Sequence, residues 1–153
     1  MEDKQKKILW IDDDVNKPEL SCDRDALEER GCIITSVINP DNIPHESISQ
    51  FDCIIIDLFL PVGEKMSLTD TQFGSITGFI SLKNIITHYP KSKIVVYSMF
   101  EFPEVRAYCK DNGIQYWNKF EHRRSNDDES DDDPDWSDEF AKDIIKVING
   151  EEV

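Results

Sequence analysis

Four short apolar segments of the chain end at, or directly before, residues with chemically useful side chains. Asp12 and Asp13 close the segment KILWID, Asp57 closes CIIID, Ser98 closes IVVYS, and Lys119 follows IQYWN. Continuous apolar runs of this length are typical of strands that a parallel sheet buries on both faces. Because parallel strands present their carboxyl ends at one edge of the sheet, we expect these five side chains to share that edge.

The pattern between these segments predicts strands that alternate with helices. Apolar spacing and turn residues predict strands at 7–12, 32–38, 53–57, 94–98 and 114–118. They also predict helices at 20–30, weakly towards Gln50, at 78–88, at 103–112, and from near Asp133 and Pro134 onward. Gly31 and Gly113 are predicted to end the helices that precede them. The expected fold class is therefore α/β, a doubly wound parallel sheet with helices on both faces, in one domain over 1–153.

The composition of the chain is typical of a soluble, single-domain protein. The chain has 153 residues and is 39% hydrophobic, which suits one domain with one layered core. No apolar run reaches the roughly 20 residues that a bilayer span needs, and the polar start does not resemble a signal peptide. The four cysteines lack the paired spacing of a zinc site, so we interpret them as reduced core thiols. We expect a soluble, cytoplasmic protein without a membrane partner.

Charge is concentrated in one tract. The formal net charge is −15, and the segment 127–135 is rich in aspartate. An acidic surface repels phosphate backbones, so direct nucleic-acid binding is not expected. We expect residues 121–134 to form a solvated acidic loop, because like charges repel and the segment offers little to bury.

The expected edge of the sheet has the chemistry of phosphoryl transfer. Crowded carboxylates raise one another's pKa unless a cation joins them, and oxygen ligands favour Mg2+, or Mn2+. Phosphoryl transfer needs a nucleophile, a bridging cation and further donors. We predict Asp57 as the nucleophile, and we predict that Lys119 and Ser98 contact phosphoryl oxygens. The predicted metal ligands are Asp57, Asp13, the backbone carbonyl of Phe59 and, through water, Asp12.

The motifs ILWIDDD, IIIDLFLP, VVYS and YWNK resemble those of the response-regulator receiver family. This resemblance implies a flavodoxin-like sheet in the order 2-1-3-4-5, with Asp57 accepting its phosphoryl group from a histidine kinase or phosphotransfer protein. Such a domain catalyses only its own phosphorylation and dephosphorylation. The resemblance also implies that Ser98 and Tyr116 act as switch residues. Output is expected through a protein partner, and a homodimer could form through the face around Pro103–Asn112.

The chain departs from the family pattern at several positions. An insertion at about 62–75 lengthens the loop above the site, and Phe120 replaces the proline that usually follows the lysine. Met99 replaces a small residue, while Phe59 and Phe100 flank the expected site. We expect these bulky side chains to exclude water and to slow loss of the phosphoryl group.

Two other functions fit parts of the pattern. A haloacid-dehalogenase-type phosphatase would use Asp12 as its nucleophile, with Asp14, Ser98, Lys119 and the pair Asp127 and Asp128 in supporting roles. That alternative leaves Asp57 without a function. A receiver-like interaction module that is never phosphorylated is the second alternative, and Phe120 and Met99 favour it.

Overall fold

A computed structural model describes residues 5–14, 18–64, 66, 68, 76–99, 101–119 and 135–153, without the side chains of 18, 19 and 135–137. Phe100, Phe120, the acidic segment 121–134 and most of the expected insertion at 62–75 lie outside these residues. Within the described part, no helix has both the length and the apolar content to cross a bilayer.

The described residues form a five-stranded, all-parallel sheet in the order β2-β1-β3-β4-β5, as predicted. The strands are β1 (Lys6–Ile11), β2 (Cys32–Val37), β3 (Cys53–Ile56), β4 (Ile94–Ser98) and β5 (Gln115–Asn118). The helices are α1 (Pro18–Glu29), α2 (Thr77–Ile85), α3 (Pro103–Asn112) and α4 (Asp135–Asn149). Glycine ends two of them as expected, since Gly31 and Gly113 have φ angles of 83° and 69°.

The crossover between β2 and β3 contradicts the weak helix expected there. It consists of two short 3-10 turns, Pro40–Asn42 and His45–Gln50. Prolines at 40 and 44 remove backbone donors within five residues, and the Asn39 side chain accepts from the Asp41 N–H at 2.9 Å, which favours a turn. The other elements match their predictions to within a few residues at their ends.

Each face of the sheet has its own apolar core. On the first, which we call the α2–α3 face, β1 and β3 residues pack with α2 and α3 residues including Leu82, Ile85 and Val105. On the second, the α1–α4 face, Trp10 and Tyr97 pack with Leu27 of α1 and with Phe140 of α4. Alternate residues of each strand supply the two cores because successive side chains point to opposite faces. The prediction of helices on both faces is confirmed.

All four cysteines are free thiols, and Cys32, Cys53 and Cys109 are buried while Cys22 is exposed. Burial raises the pKa of the Cys109 thiol to about 11, so it is protonated at neutral pH. The buried cysteines therefore serve as core residues.

Candidate functional site

Backbone hydrogen bonds at the sheet edge place Asp12 and Asp57 side by side. The Asp12 N–H donates to the Val37 carbonyl at 2.9 Å, and the Asp57 N–H donates to the Ile11 carbonyl at 2.9 Å. Each aspartate thus continues the sheet ladder one residue beyond its own strand. Since β1 and β3 are neighbours, the two carboxylates emerge at the same edge.

Lys119 lies between these two carboxylates. Its Nζ is 2.8 Å from Asp12 Oδ2 and 3.2 Å from Asp57 Oδ2. All three residues are buried, with exposed fractions of 0% for Asp12, 5% for Asp57 and 2% for Lys119. Charged groups this deeply buried need partners, and here one cation serves two anions.

The second oxygen of each carboxylate binds backbone N–H groups. Asp57 Oδ1 accepts from the N–H of Leu58 at 2.7 Å and, at 3.4 Å, from that of Phe59. Asp12 Oδ1 accepts from the Asp14 N–H at 2.8 Å. The two side chains are therefore held in fixed orientations by the turns that follow their strands.

The site carries more negative charge than Lys119 neutralises. Burial, followed by the neighbouring charge of Asp57, raises the pKa of Asp12 from 3.8 to about 7, although Lys119 opposes this shift. Burial alone would lower the pKa of Lys119, but the charges of Asp57 and Asp12 outweigh it, and the net shift is upward. The lysine therefore remains protonated, while Asp12 resists ionisation.

These residues fit a divalent cation. Asp12, Asp13 and Asp57 each offer a carboxylate oxygen, and the three oxygens lie within 4.8 Å of one another. An all-oxygen, anionic set of ligands suits a hard ion such as Mg2+. A bound cation would also relieve the repulsion that raises the pKa of Asp12.

Ser98 and Tyr116 lie on the same face of the sheet, one strand apart. Ser98 is the last residue of β4 and is fully buried. Tyr116 pairs with Val96, two residues before Ser98, and therefore lies farther from the edge. Its hydroxyl oxygen accepts from the Phe102 N–H at 3.4 Å, and burial raises its pKa to about 12. The two expected switch residues are thus neighbours on the α2–α3 face.

The bulky residues at the edge are only partly covered. Phe59 is 46% exposed and Met99 is 41% exposed. Phe59 follows Asp57 by two residues and Met99 directly follows Ser98, and the exclusion of water by these side chains stays a prediction.

Gly78 is a site residue that sequence analysis treated only as the start of a helix. Its N–H donates to the Leu58 carbonyl at 2.9 Å, which ties α2 to the turn after Asp57. A Cβ atom at position 78 would lie 1.8 Å from the carbonyl oxygen of Asp57. Glycine is required here because two backbones approach closely. A lone glycine in the first turn of a helix carries no sequence signal for such a contact.

A second set of polar residues surrounds Tyr116 and was also missed. Arg106 Nη2 is 2.6 Å from Glu101 Oε1, and its guanidinium carbon lies 4.6 Å from the centre of the Tyr116 ring. The Asn118 side chain donates to Glu101 Oε1 at 3.3 Å. These residues join β5, α3 and the loop after β4. Their spacing is not periodic, so sequence analysis could not group them.

A scan against protein-family sequence models and a search of curated protein sequences both found no match. Solved structures do match. A CheY-like response regulator receiver domain protein from Methanospirillum hungatei JF-1 aligns with a TM-score of 0.61 at 16% identity, covering 96% of this chain and 99% of its own. The chain has the receiver fold.

Two further structures show the same fold. The RcsB response regulator of Salmonella typhimurium aligns with a TM-score of 0.65 at 17% identity, over 97% of this chain and 62% of that one. A response regulator from Burkholderia pseudomallei, solved with a phosphorylated aspartic acid and a calcium ion, aligns with a TM-score of 0.53 at 18% identity. It covers 93% of this chain and 75% of its own. At these identities the receiver fold is what the chain shares with them.

Proposed function

We propose that this chain is a phosphoacceptor switch of two-component signalling that accepts a phosphoryl group on Asp57 in a Mg2+-dependent reaction. The observation that carries the proposal is the buried set of Asp12, Asp57 and Lys119, with Asp13 close enough to share a cation. The receiver fold supports it, since the related structure from Burkholderia pseudomallei carries both a phosphorylated aspartic acid and a metal ion.

The proposed chemistry assigns one task to each residue. A carboxylate oxygen of Asp57 attacks the phosphorus of a phosphohistidine on a kinase or phosphotransfer protein, and the P–N bond breaks as the imidazole leaves. Asp13, Asp57 and the Phe59 carbonyl, with Asp12 acting through water, would hold the ion, which would supply positive charge for the phosphoryl oxygens. Lys119 turns from the carboxylates towards a phosphoryl oxygen.

The Ser98 hydroxyl is proposed to donate to another phosphoryl oxygen. Because Ser98 and Tyr116 share one sheet face, a shift of Ser98 towards the phosphoryl group opens space on the α2–α3 face for the Tyr116 ring. We propose that this movement changes the surface formed by α3, β5 and α4, where a protein partner binds. The same surface could pair two copies of the chain.

The test is intact-mass analysis of the protein with Mg2+ and acetyl phosphate, a small acyl phosphate donor. The expected result is one phosphoryl adduct that a chelator prevents and that Asp57→Asn abolishes. Asp111→Asn, which changes an exposed carboxylate on α3, is the matched control and should retain the adduct. A wild-type protein without an adduct would contradict the proposal and support an interaction module that is not phosphorylated.

The phosphatase alternative gives a different result in the same protein. It predicts turnover of phosphate esters that is lost in Asp12→Asn and retained in Asp57→Asn. This alternative leaves Asp57, whose buried side chain shares Lys119 with Asp12, without a function. Asp127 and Asp128, which the alternative also needs, lie outside the described residues.

A further inference from the structure

The ammonium group of Lys119 has a third neighbour besides the two carboxylates. Its Nζ lies 5.6 Å from the centre of the Tyr97 ring, within the range of a cation–π interaction. Tyr97 is the residue before Ser98 on β4, and it pairs with Trp117, two residues before Lys119. Alternation along both strands therefore brings Tyr97 and Lys119 to the same face of the sheet.

The Tyr97 ring itself is rigidly held. It is fully buried, and it stacks on Phe140 of α4 with the ring centres 4.6 Å apart at an angle of 25°. Its hydroxyl donates to Asp23 Oδ2 at 3.3 Å, and Asp23 is a fully buried carboxylate on α1. Contacts from α1 and α4 thus fix the ring on which the lysine rests.

This arrangement matters most when a cation is bound. A lysine side chain has a flexible four-carbon stem and makes no fixed bidentate contact. In the structure the two carboxylates hold its ammonium group, and a divalent cation would compete with the lysine for these carboxylates. The attraction of the Tyr97 ring does not depend on those oxygens, so it would persist if they bound a metal ion.

We infer that Tyr97 is a positioning residue, which keeps Lys119 at the sheet edge when the ion binds Asp57 directly and Asp12 through water, and that Phe140 fixes its ring for this task. This inference rests on the proposed function, since the task of Lys119 is to contact the phosphoryl group. It also explains how this chain can aim the lysine without the proline that the receiver family usually has after it.

The first experiment compares initial rates of Asp57 phosphorylation by acetyl phosphate at saturating Mg2+. Replacing the ring in Tyr97→Leu should slow phosphorylation about tenfold, as expected for a desolvated cation–π contact. Its dissociation constant for Mg2+, measured by calorimetry, should change by less than about twofold, because Tyr97 does not offer the metal a ligand. Tyr97→Phe keeps the ring and should keep most of the rate.

Tyr89→Leu is the matched control for lost core packing. Tyr89 is a buried tyrosine on the α2–α3 face, whose hydroxyl donates to the Phe51 carbonyl at 2.8 Å. Tyr89→Leu should lower the melting temperature about as much as Tyr97→Leu does. It should leave the phosphorylation rate unchanged. Equal slowing in both leucine variants, or normal phosphorylation in Tyr97→Leu, would overturn the inference.

The second experiment needs no phosphorylation. In NMR spectra recorded first without and then with saturating Mg2+, the ring current of Tyr97 should move the ε-methylene protons of Lys119 upfield in both, with Lys119→Arg identifying the signal. The shift should persist in Tyr97→Phe and disappear in Tyr97→Leu. An ordinary chemical shift in the wild type refutes the contact even if Tyr97→Leu does not fold. If the wild type forms no Asp57 adduct, the proposed function fails, and these resonances still decide whether Tyr97 positions Lys119.

Discussion

Two ion-pair clusters in this protein use the same chemistry at similar distances but in different surroundings. Lys119 lies 2.8 Å from Asp12, and Arg106 lies 2.6 Å from Glu101. The side chains of the first pair are 3% and 0% exposed, whereas those of the second are 45% and 41% exposed. Burial, rather than distance, is what differs between them.

Their carboxyl pKa values shift in opposite directions. The pKa of Glu101 is lowered, first by its hydrogen bond to Arg106. Burial opposes this shift only weakly, because the exposed carboxylate loses little of its hydration. The pKa of Asp12 is raised, because burial and the nearby Asp57 outweigh Lys119. The exposed pair has one positive and one negative charge, whereas the buried cluster has two carboxylates and one ammonium group. This contrast supports the proposal that the buried cluster binds a cation.

The largest effect is expected from removing the buried cation. Lys119→Ala leaves two buried carboxylates without a cationic partner, and should reduce the metal-free free energy of unfolding at pH 8 by about 3–5 kcal/mol. Urea denaturation measures this change, and added Mg2+ should recover part of it. Arg106→Ala serves as the comparison and should cost less than about 1 kcal/mol. Equal losses in the two variants would show that burial does not separate the clusters.

A pH series sharpens the same contrast. The pKa of Asp12 is raised in the folded state from 3.8 to about 7, so the folded protein binds this proton more tightly than the unfolded chain. The resulting stability is fully present below pH 3.8 and is lost as the pH rises through about 7. Urea denaturation of metal-free wild type and Asp12→Asn at several pH values isolates this contribution. Parallel stability curves for the two proteins would contradict it.

The exposed rim of the buried site gives a third, kinetic test. Phe59 is partly exposed beside Asp57, and Phe59→Asn replaces an apolar cover with a group that can hold water. The phosphorylated form should lose its phosphoryl group several-fold faster, because hydrolysis needs a water aligned with the acyl phosphate. Decay of the phosphoryl adduct by intact mass measures the lifetime. An unchanged lifetime would show that Phe59 does not exclude water.

The smallest effect is expected at Glu101. Because its pKa is lowered, its ion pair stabilises the protein above the ordinary pKa of 4.5, and this stability is lost as the pH falls through the lowered folded-state value. Glu101→Gln should cost less than about 1 kcal/mol at pH 7, and less still in high salt, which screens exposed charges. Denaturation at two salt concentrations measures this. A larger, salt-independent loss would mean that the pair behaves as a buried one.

Much of the fold could be predicted from local patterns. The apolar runs that end at Asp12, Asp57 and Ser98 predicted three strands, and Gly31 and Gly113 predicted where two helices end. These features are local, because a continuous apolar run or a residue with positive φ can be recognised without knowing its neighbours in space. The helix predicted between β2 and β3 was wrong, because the prolines at 40 and 44 favoured turns over a weakly periodic helix.

The sequence by itself determined which residue types end the strands, and therefore that Asp12, Asp13, Asp57 and Lys119 could share one edge of a parallel sheet. Only the tertiary structure decided that Lys119 bridges two carboxylates, that Gly78 must lie against Asp57, and that the Tyr97 ring lies beside the lysine. The reason is physical. These contacts join residues that are distant along the chain. Burial, which shifts the pKa values of the charged residues, arises only when strands and helices pack together.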